Sequence, residues 1–178
     1  MRKIVANLFL SLDGVAEAPD KWSLPYWTDE IGRAVGGGMA AADAMLLGRV
    51  TYEGFAEAWP GQDDEGAAFM NNVRKYVLSS TLSAVSWNNS TLLTGDPVEA
   101  IRALKAEAGG DIMTSGSTTV VRWLLAEGLV DELNLLVYPI VVGRGKRLFP
   151  EEGPGFALVL KKSATFGNGV VQLTYVPA

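Results

Sequence analysis

The chain has 178 residues, 48% of them hydrophobic and 20% charged, with a formal net charge of −5. That length supports one good core and the apolar content excludes disorder, so residues 1–178 read as a single domain. A sequence pI near 4.8 leaves no overall footprint for a nucleic-acid backbone; with no Cys and no His, disulfides, thiolate nucleophiles, Ser-His-Asp triads and the common zinc or iron–sulfur sites are excluded too.

What chemistry remains belongs to carboxylates, hydroxyls, Lys, Arg and backbone groups, or to a cofactor that brings its own reactivity. No metal is expected. The apolar run Ile4 to Leu12 follows a single Arg2-Lys3 pair, is broken by Asn7 and Ser11, and lacks a small-residue cleavage site. Neither an export signal nor a membrane span is expected from it, and the cytoplasm is the expected compartment.

Taken in order, Ile4 to Leu12 predicts a strand buried on both faces, ended by the Asp13-Gly14 turn. A loop from Asp20 to Tyr26 carries Trp22 and Pro25. Thr28 then caps a helix to about Ala42 whose first turn holds Asp29 and Glu30, although Gly36-Gly37-Gly38 weakens it. Ala44 to Leu47 predicts a buried strand, and Gly48 to Tyr52 turns it into a helix stopping near Trp59-Pro60-Gly61. Gln62 to Asn72 reads as an acidic surface loop leading into a helix-like segment. Strands follow at Lys75 to Leu78 and, more weakly, Thr91 to Leu93. Asp96, Pro97 and Glu99 announce a helix with Val98, Ile101, Leu104 and Ala108 on one face, ended by Gly109-Gly110. Ile112 to Thr114, the turn Ser115-Gly116-Ser117 and a helix from Thr118 to Glu127 form a second strand–Gly–helix unit. Asp131 to Tyr138 is a strand, Gly143 to Arg147 a flexible basic loop, and Ala157 to Phe166 with Val170 to Val176 an antiparallel hairpin around Gly167-Asn168-Gly169. The expected architecture is α/β, with helices on both faces of a mostly parallel sheet.

In such sheets ligands bind beyond the carboxyl ends of the strands. Gly48 to Thr51, Ser79 to Thr81 and Ser115 to Thr119 share that position. Glycine permits close backbone approach, helix N-termini favour negative charge and hydroxyls donate hydrogen bonds, so together they resemble a pyrophosphate cradle. Arg49 adds a cationic fork suited to a phosphate, or pairs with a surface carboxylate.

Leu10 to Gly14, Leu47 to Glu53, Lys75 to Leu82, Ser115 to Ser117, Gly128 to Leu133 and Pro139 to Phe149 together resemble the dihydrofolate reductase-like family that includes the reductase domain of bacterial riboflavin biosynthesis (the RibD C-terminal type), and its stand-alone bacterial members most of all. The likeness runs over nearly the whole chain. It implies a dihydrofolate reductase-like three-layer fold, NADPH as cofactor, hydride transfer to a small heterocyclic or sugar-linked substrate, and a homodimer. On the matching positions, Gly48, Arg49 and Thr51 would hold the cofactor phosphates, and Ser79, Ser80 and Thr81 would surround the adenosine 2′-phosphate. Ser115, Gly116, Ser117 and Thr118 would lie beneath the pyrophosphate, with Asp13 to Ala16 beside the nicotinamide. Ser115 departs from the paired glycines of dihydrofolate reductases. The proton donor is Asp29 by position, with Glu30, Asp13 and Tyr52 as alternatives, while Asp29 and Glu30 equally suit the helix dipole and Tyr52 could simply pack. Trp22, Tyr26, Trp27 and Phe55 are candidates to stack on a flat substrate. The riboflavin-pathway enzyme acting on 5-amino-6-(5-phosphoribosylamino)uracil, and a catalytically silent NADPH-binding protein, are the rival readings.

Overall fold

The computed structural model describes residues 1–153 and 155–178. Its strands are β1 (Ile4–Ser11), β2 (Ala42–Gly48), β3 (Arg74–Leu78), β4 (Ser90–Leu92), β5 (Asp111–Thr114), β6 (Glu132–Tyr138), β7 (Leu158–Thr165) and β8 (Val171–Pro177). They form one sheet in the order β4-β3-β2-β5-β1-β6-β8-β7. The first six run parallel, and β8 lies antiparallel to both β6 and β7. The helices are α1 (Asp29–Ala41), α2 (Arg49–Ala58), α3 (Glu65–Asn72), α4 (Pro97–Ala106) and α5 (Thr118–Ala126).

Helices cover both faces because the parallel strands are apolar on both. On one face Ile101, Leu104, Val121 and Leu124 of α4 and α5 bury Ile4, Ala6 and Leu8 of β1 with Ala44, Leu46 and Leu133. On the other, Tyr52 of α2 and Met70 of α3 pack on Met45, Leu47, Val77 and Met113. Ile31 of α1 joins Trp22, Leu136, Tyr138 and Val170 nearby. Each Val, Leu, Ile or Met among them withdrawn from water is worth about 1.5–3 kcal/mol. The fold is the expected three-layer α/β architecture, closed by the antiparallel C-terminal pair.

Boundaries moved where local chemistry outweighed pattern. Asp64 caps α3 by accepting from the Ala67 amide, which makes a regular helix of the end of the Gln62 to Asn72 stretch. α4 stops at Ala106, short of Ala108, and two 3₁₀ turns at Pro19–Lys21 and Leu24–Tyr26 organise the loop before α1. α1 survives four glycines, Gly32 and the run Gly36 to Gly38, each costing about 0.8–1 kcal/mol relative to Ala in a helix interior. The Gly143 to Arg147 segment, expected to be flexible, is instead stitched to the loop after β1. Ala16 donates to Lys146 O, Leu148 to Gly14 O, and Arg147 Nε to Asp13 O.

One buried cation was not foreseen. Lys75 is fully buried, its ammonium donating to the carbonyls of Asn71, Val73 and Asn88 and lying 4.1 Å from the centroid of the Trp87 ring. Burial pulls it down to about 8, so it stays charged at neutral pH and ties the loop before β4 to the end of α3.

Candidate functional site

β5 returns between β2 and β1, which places the crevice of this sheet at the carboxyl ends of β2 and β5. The two strand–Gly–helix turns meet there. A Cβ on Gly48 would stand 2.8 Å from Val120 Cγ2 and 3.1 Å from Ser117 Oγ, and one on Gly116 would stand 3.4 Å from Thr51 Oγ1. The turns are built differently. Gly48 caps α2 without any side-chain acceptor, whereas Ser117 caps α5 by accepting from the Val120 amide. Gly116 has φ +124°, a backbone that side chains disfavour, and the Gly116–Ser117 peptide is cis. Thr114 Oγ1 donates to Gly116 O at 3.2 Å beneath this turn.

Beside the turns opens a cavity of about 350 Å³ between β3, β4 and the starts of α4 and α5. Leu78, Leu93, Val120 and Trp123 make its apolar walls, and Ser79, Ser80, Thr94 and Thr119 bring hydroxyls to it. An apolar slot with hydroxyls suits a flat heterocycle joined to a sugar and phosphate. Ser79 Oγ is partly spent, since it accepts from the amides of Thr81 and Leu82. Thr81 is exposed and lies outside the lining. Thr94, Gly95 and Trp123 were missed in the sequence. Thr94-Gly95 reads only as a turn before a helix cap, and Trp123 as one more apolar residue of an amphipathic helix.

Arg49 stands exposed at the start of α2 and pairs with Glu53 at 3.0 Å, so the bland alternative for this residue is realised in the structure. Among the residues lining the cavity there is no Lys or Arg. Gly48, Thr51, Ser115, Gly116, Ser117 and Thr118 all lie on the two facing turns, and the buried Thr118 opens α5.

Three of the four proton-donor candidates are engaged elsewhere. The carboxylate of Asp13 accepts from Ser11 Oγ at 2.6 Å and from the amides of Val142 and Gly143. These bonds, the Ser11 hydroxyl first, hold it well below the usual carboxylate range at about 2, so it braces two loops and is no proton donor at neutral pH. Ala16 likewise spends its amide on Lys146. Tyr52 is a correction to a catalytic role. Its buried hydroxyl accepts from the amides of Ser86 and Trp87 and so anchors the loop after β3. Glu30 accepts from the Gly167 amide. Asp29 is exposed in the first turn of α1 and makes no side-chain hydrogen bond or ion pair among the described residues.

The aromatic candidates separate as well. Trp22 is buried, donates its indole N–H to Glu17 O and packs edge-on against Tyr138, so it belongs to the core and not to a binding surface. Tyr26 is half-buried against the same ring, and Phe55 packs edge-on against Trp59. Trp27 is 49% exposed, leaning on Gly32 of α1, and alone of the four falls among the exposed residues. Tyr138 lies wholly buried beside Ser23, and burial pushes its hydroxyl up to about 12.

Fold and crevice together define a dihydrofolate reductase-like α/β protein. The chain belongs to the RibD C-terminal domain family, whose model matches residues 2–172. It is 30% identical to YwjB of Bacillus subtilis (strain 168), over 99% of each chain. A protein of Shewanella sp. PV-4, provisionally assigned to riboflavin biosynthesis, superposes with a TM-score of 0.77 at 22% identity, over 99% of each chain. Dihydrofolate reductase from Enterococcus faecalis, in complex with NADP(H) and RAB-propyl, superposes with a TM-score of 0.63 at 18% identity, over 98% of this chain and 96% of that one. Among the described residues no helix is long and apolar enough to cross a membrane.

Proposed function

We propose that the chain is an NADPH-dependent reductase that delivers hydride to a small heterocyclic or sugar-linked substrate. The observation that carries this reading is the contact of the Gly48 and Ser117 turns beside a hydroxyl-bearing, apolar-walled cavity at the carboxyl edge of the sheet. Family membership supports a reductase of the riboflavin-pathway type, and the NADP(H) held by the Enterococcus reductase of the same fold supports the dinucleotide.

The residues fit that group. The unbonded amides at the start of α2, with the Thr51 and Thr118 hydroxyls, would grip the pyrophosphate, since a helix N-terminus favours negative charge. Ser79, Ser80, Thr94 and Thr119 would bond the adenosine sugar, with Leu78, Leu93 and Trp123 against the base. Arg49 would exchange Glu53 for the 2′-phosphate, at little cost because an exposed ion pair is worth about 0–1 kcal/mol. The bound dinucleotide supplies the hydride. Asp29 is the carboxylate left free near the amino end of α1 to hold a proton for the reduced heteroatom, and the half-exposed Trp27 would stack on the substrate. Asp13 keeps the loop beside the nicotinamide in place through its bonds to Val142 and Gly143.

The chain has five tryptophans, and Trp123 lines the cavity, so its fluorescence reports binding. Titration with NADPH and NADH should quench it, with NADPH the tighter; no response to either refutes the cofactor reading. Turnover of 5-amino-6-(5-phosphoribosylamino)uracil would make the chain the riboflavin-pathway enzyme itself. Nucleotide binding with no turnover that Asp29→Asn alters would favour the silent binding protein. We further propose a cytoplasmic homodimer, since β7 is a long open edge exposing Val159 and Leu160. A monomer mass in light scattering at micromolar concentration refutes the dimer.

A further inference from the structure

A second cavity, of about 400 Å³, lies between the later half of α1 and the opposite half of the sheet, and none of its lining residues is shared with the nucleotide crevice. Its floor is a polar row laid straight across four strands. Asn7 of β1 pairs in register with Asn134 of β6, Asn134 with Thr174 of β8, and Thr174 with Lys162 of β7. Elsewhere this face carries Met45, Leu47, Leu136 and Tyr138. Of this row only Thr174 is buried, while Asn7 and Asn134 are half-buried and Lys162 is exposed, so the polar groups stand open to whatever occupies the cavity.

The row is only partly satisfied by the protein itself. Asn134 Nδ2 donates to Asn7 Oδ1 at 3.1 Å and to Glu132 Oε1 at 3.5 Å, and Asn7 Nδ2 donates to Val5 O at 3.5 Å, which leaves the Asn134 side-chain carbonyl and one Asn7 N–H unused. Thr174 is 94% buried and lines the cavity, and its hydroxyl, which makes no side-chain hydrogen bond among the described residues, stays open to the cavity and is not among the sealed-off polar atoms. At the rim Arg33 and Lys162 form no ion pair among the described residues, while Lys161 pairs with Glu132. Three cations therefore face two carboxylates, Asp111 and Glu132, on a chain of net charge −5.

The roof is the glycine run of α1. A Cβ on Gly37 would meet nothing within 4 Å, so the protein's own packing does not require glycine there. The omitted side chain enlarges the cavity, at a cost in helix propensity.

We propose that this cavity is a binding site for a small hydrophilic anion, with a hydroxyl-rich body seated on Asn7, Asn134, Gln172 and Thr174 and a phosphate or carboxylate held by Arg33 and Lys162. A sugar phosphate has that form, a polyol body for the amides and hydroxyl and an anionic group for the two cations. The site stands independently of the nucleotide reading.

Ribose 5-phosphate, inorganic phosphate and ribose are the probes, titrated separately by calorimetry without nucleotide. Saturable binding of ribose 5-phosphate, tighter than either fragment, is expected. Gly37→Leu, which fills the space with a better helix former, should keep or raise Tm and abolish binding. Arg33→Gln with Lys162→Gln, both exposed and so harmless to folding, should weaken it about 10-fold or more. Absence of saturation by about 10 mM, or equal binding by the variants, overturns the site, because even millimolar affinity would register. Ribose 5-phosphate binding no tighter than phosphate overturns the role of the amide floor. Conversion of a dimer to a monomer by Gly37→Leu would mean that a second copy covers the face, and overturns it also.

Discussion

The two glycine turns that face each other at the crevice are glycine for different reasons. Gly48 sits in an ordinary extended backbone, φ −81° and ψ 162°, and is small because Val120 and Ser117 of the other turn crowd it. Gly116 has room for a methyl group, with Thr51 Oγ1 at 3.4 Å, but its φ of +124° does not suit a side chain. One glycine answers a neighbour and the other its own backbone. A crowded neighbour can be trimmed, whereas a backbone conformation cannot be relieved from outside.

The largest expected effect follows from that distinction. Gly116→Ala should cost up to about 3 kcal/mol in urea unfolding, and no substitution at Thr51 should recover it, because the strain is local to the backbone. Recovery by Thr51→Ser would show that space mattered there after all. Gly48→Ala should cost about 1–2 kcal/mol through overpacking. Combined with Val120→Ala, the loss should be smaller than the sum of the two single variants by at least about 0.5 kcal/mol, as expected of residues in contact. Simple additivity would place the turns further apart than described.

Arg49 opens the helix after the first turn, and its effect should appear in ligand choice and not in stability. Arg49→Ala should weaken NADPH about 10-fold, the loss of one charge-assisted contact, and NADH little. Its exposed pairing with Glu53 implies a stability change within about 0.5 kcal/mol. Equal losses for the two nucleotides would remove the 2′-phosphate role.

The smallest effect concerns the loop after β1. Asp13 is held at about 2 in the folded chain against 3.8 as its ordinary value. Its contribution to stability is therefore complete above pH 3.8 and fades as pH falls toward 2. Asp13→Asn should be the less stable protein at neutral pH, and the gap to the natural chain should narrow between pH 3.8 and 2 in acid titrations followed by circular dichroism. A gap independent of pH would show that the carboxylate's charge is not what its neighbours bind.

Much of this site was legible before any coordinates. The strand–Gly–helix punctuation at Gly48 and Gly116 locates both turns, because glycine and capping hydroxyls act within a few residues of where they stand. The core strands were legible for the same reason, their apolar runs needing cover on both faces. Side-chain roles were less so. Tyr52 and Trp22 carry the chemistry of catalysis and stacking, yet Tyr52 meets amides more than 30 residues away and Trp22 packs on Tyr138, distances along the chain that no local pattern reports. The cavity wall at Thr94 and Trp123 was lost likewise, since it forms only where β4, α4 and α5 converge.

By itself, the order of apolar runs, turns and caps determined the α/β class, the place of the crevice and the absence of thiol and imidazole chemistry, all consequences of short-range sterics and residue type. Only the tertiary structure decided which hydroxyl is free and which is already spent, that Asp13 braces loops and donates no proton, and that Asn7, Asn134, Thr174 and Lys162 stand in one row. Hydrogen-bond satisfaction depends on partners brought from distant parts of the chain, and strand register, which aligns such a row, is set by the packed sheet as a whole.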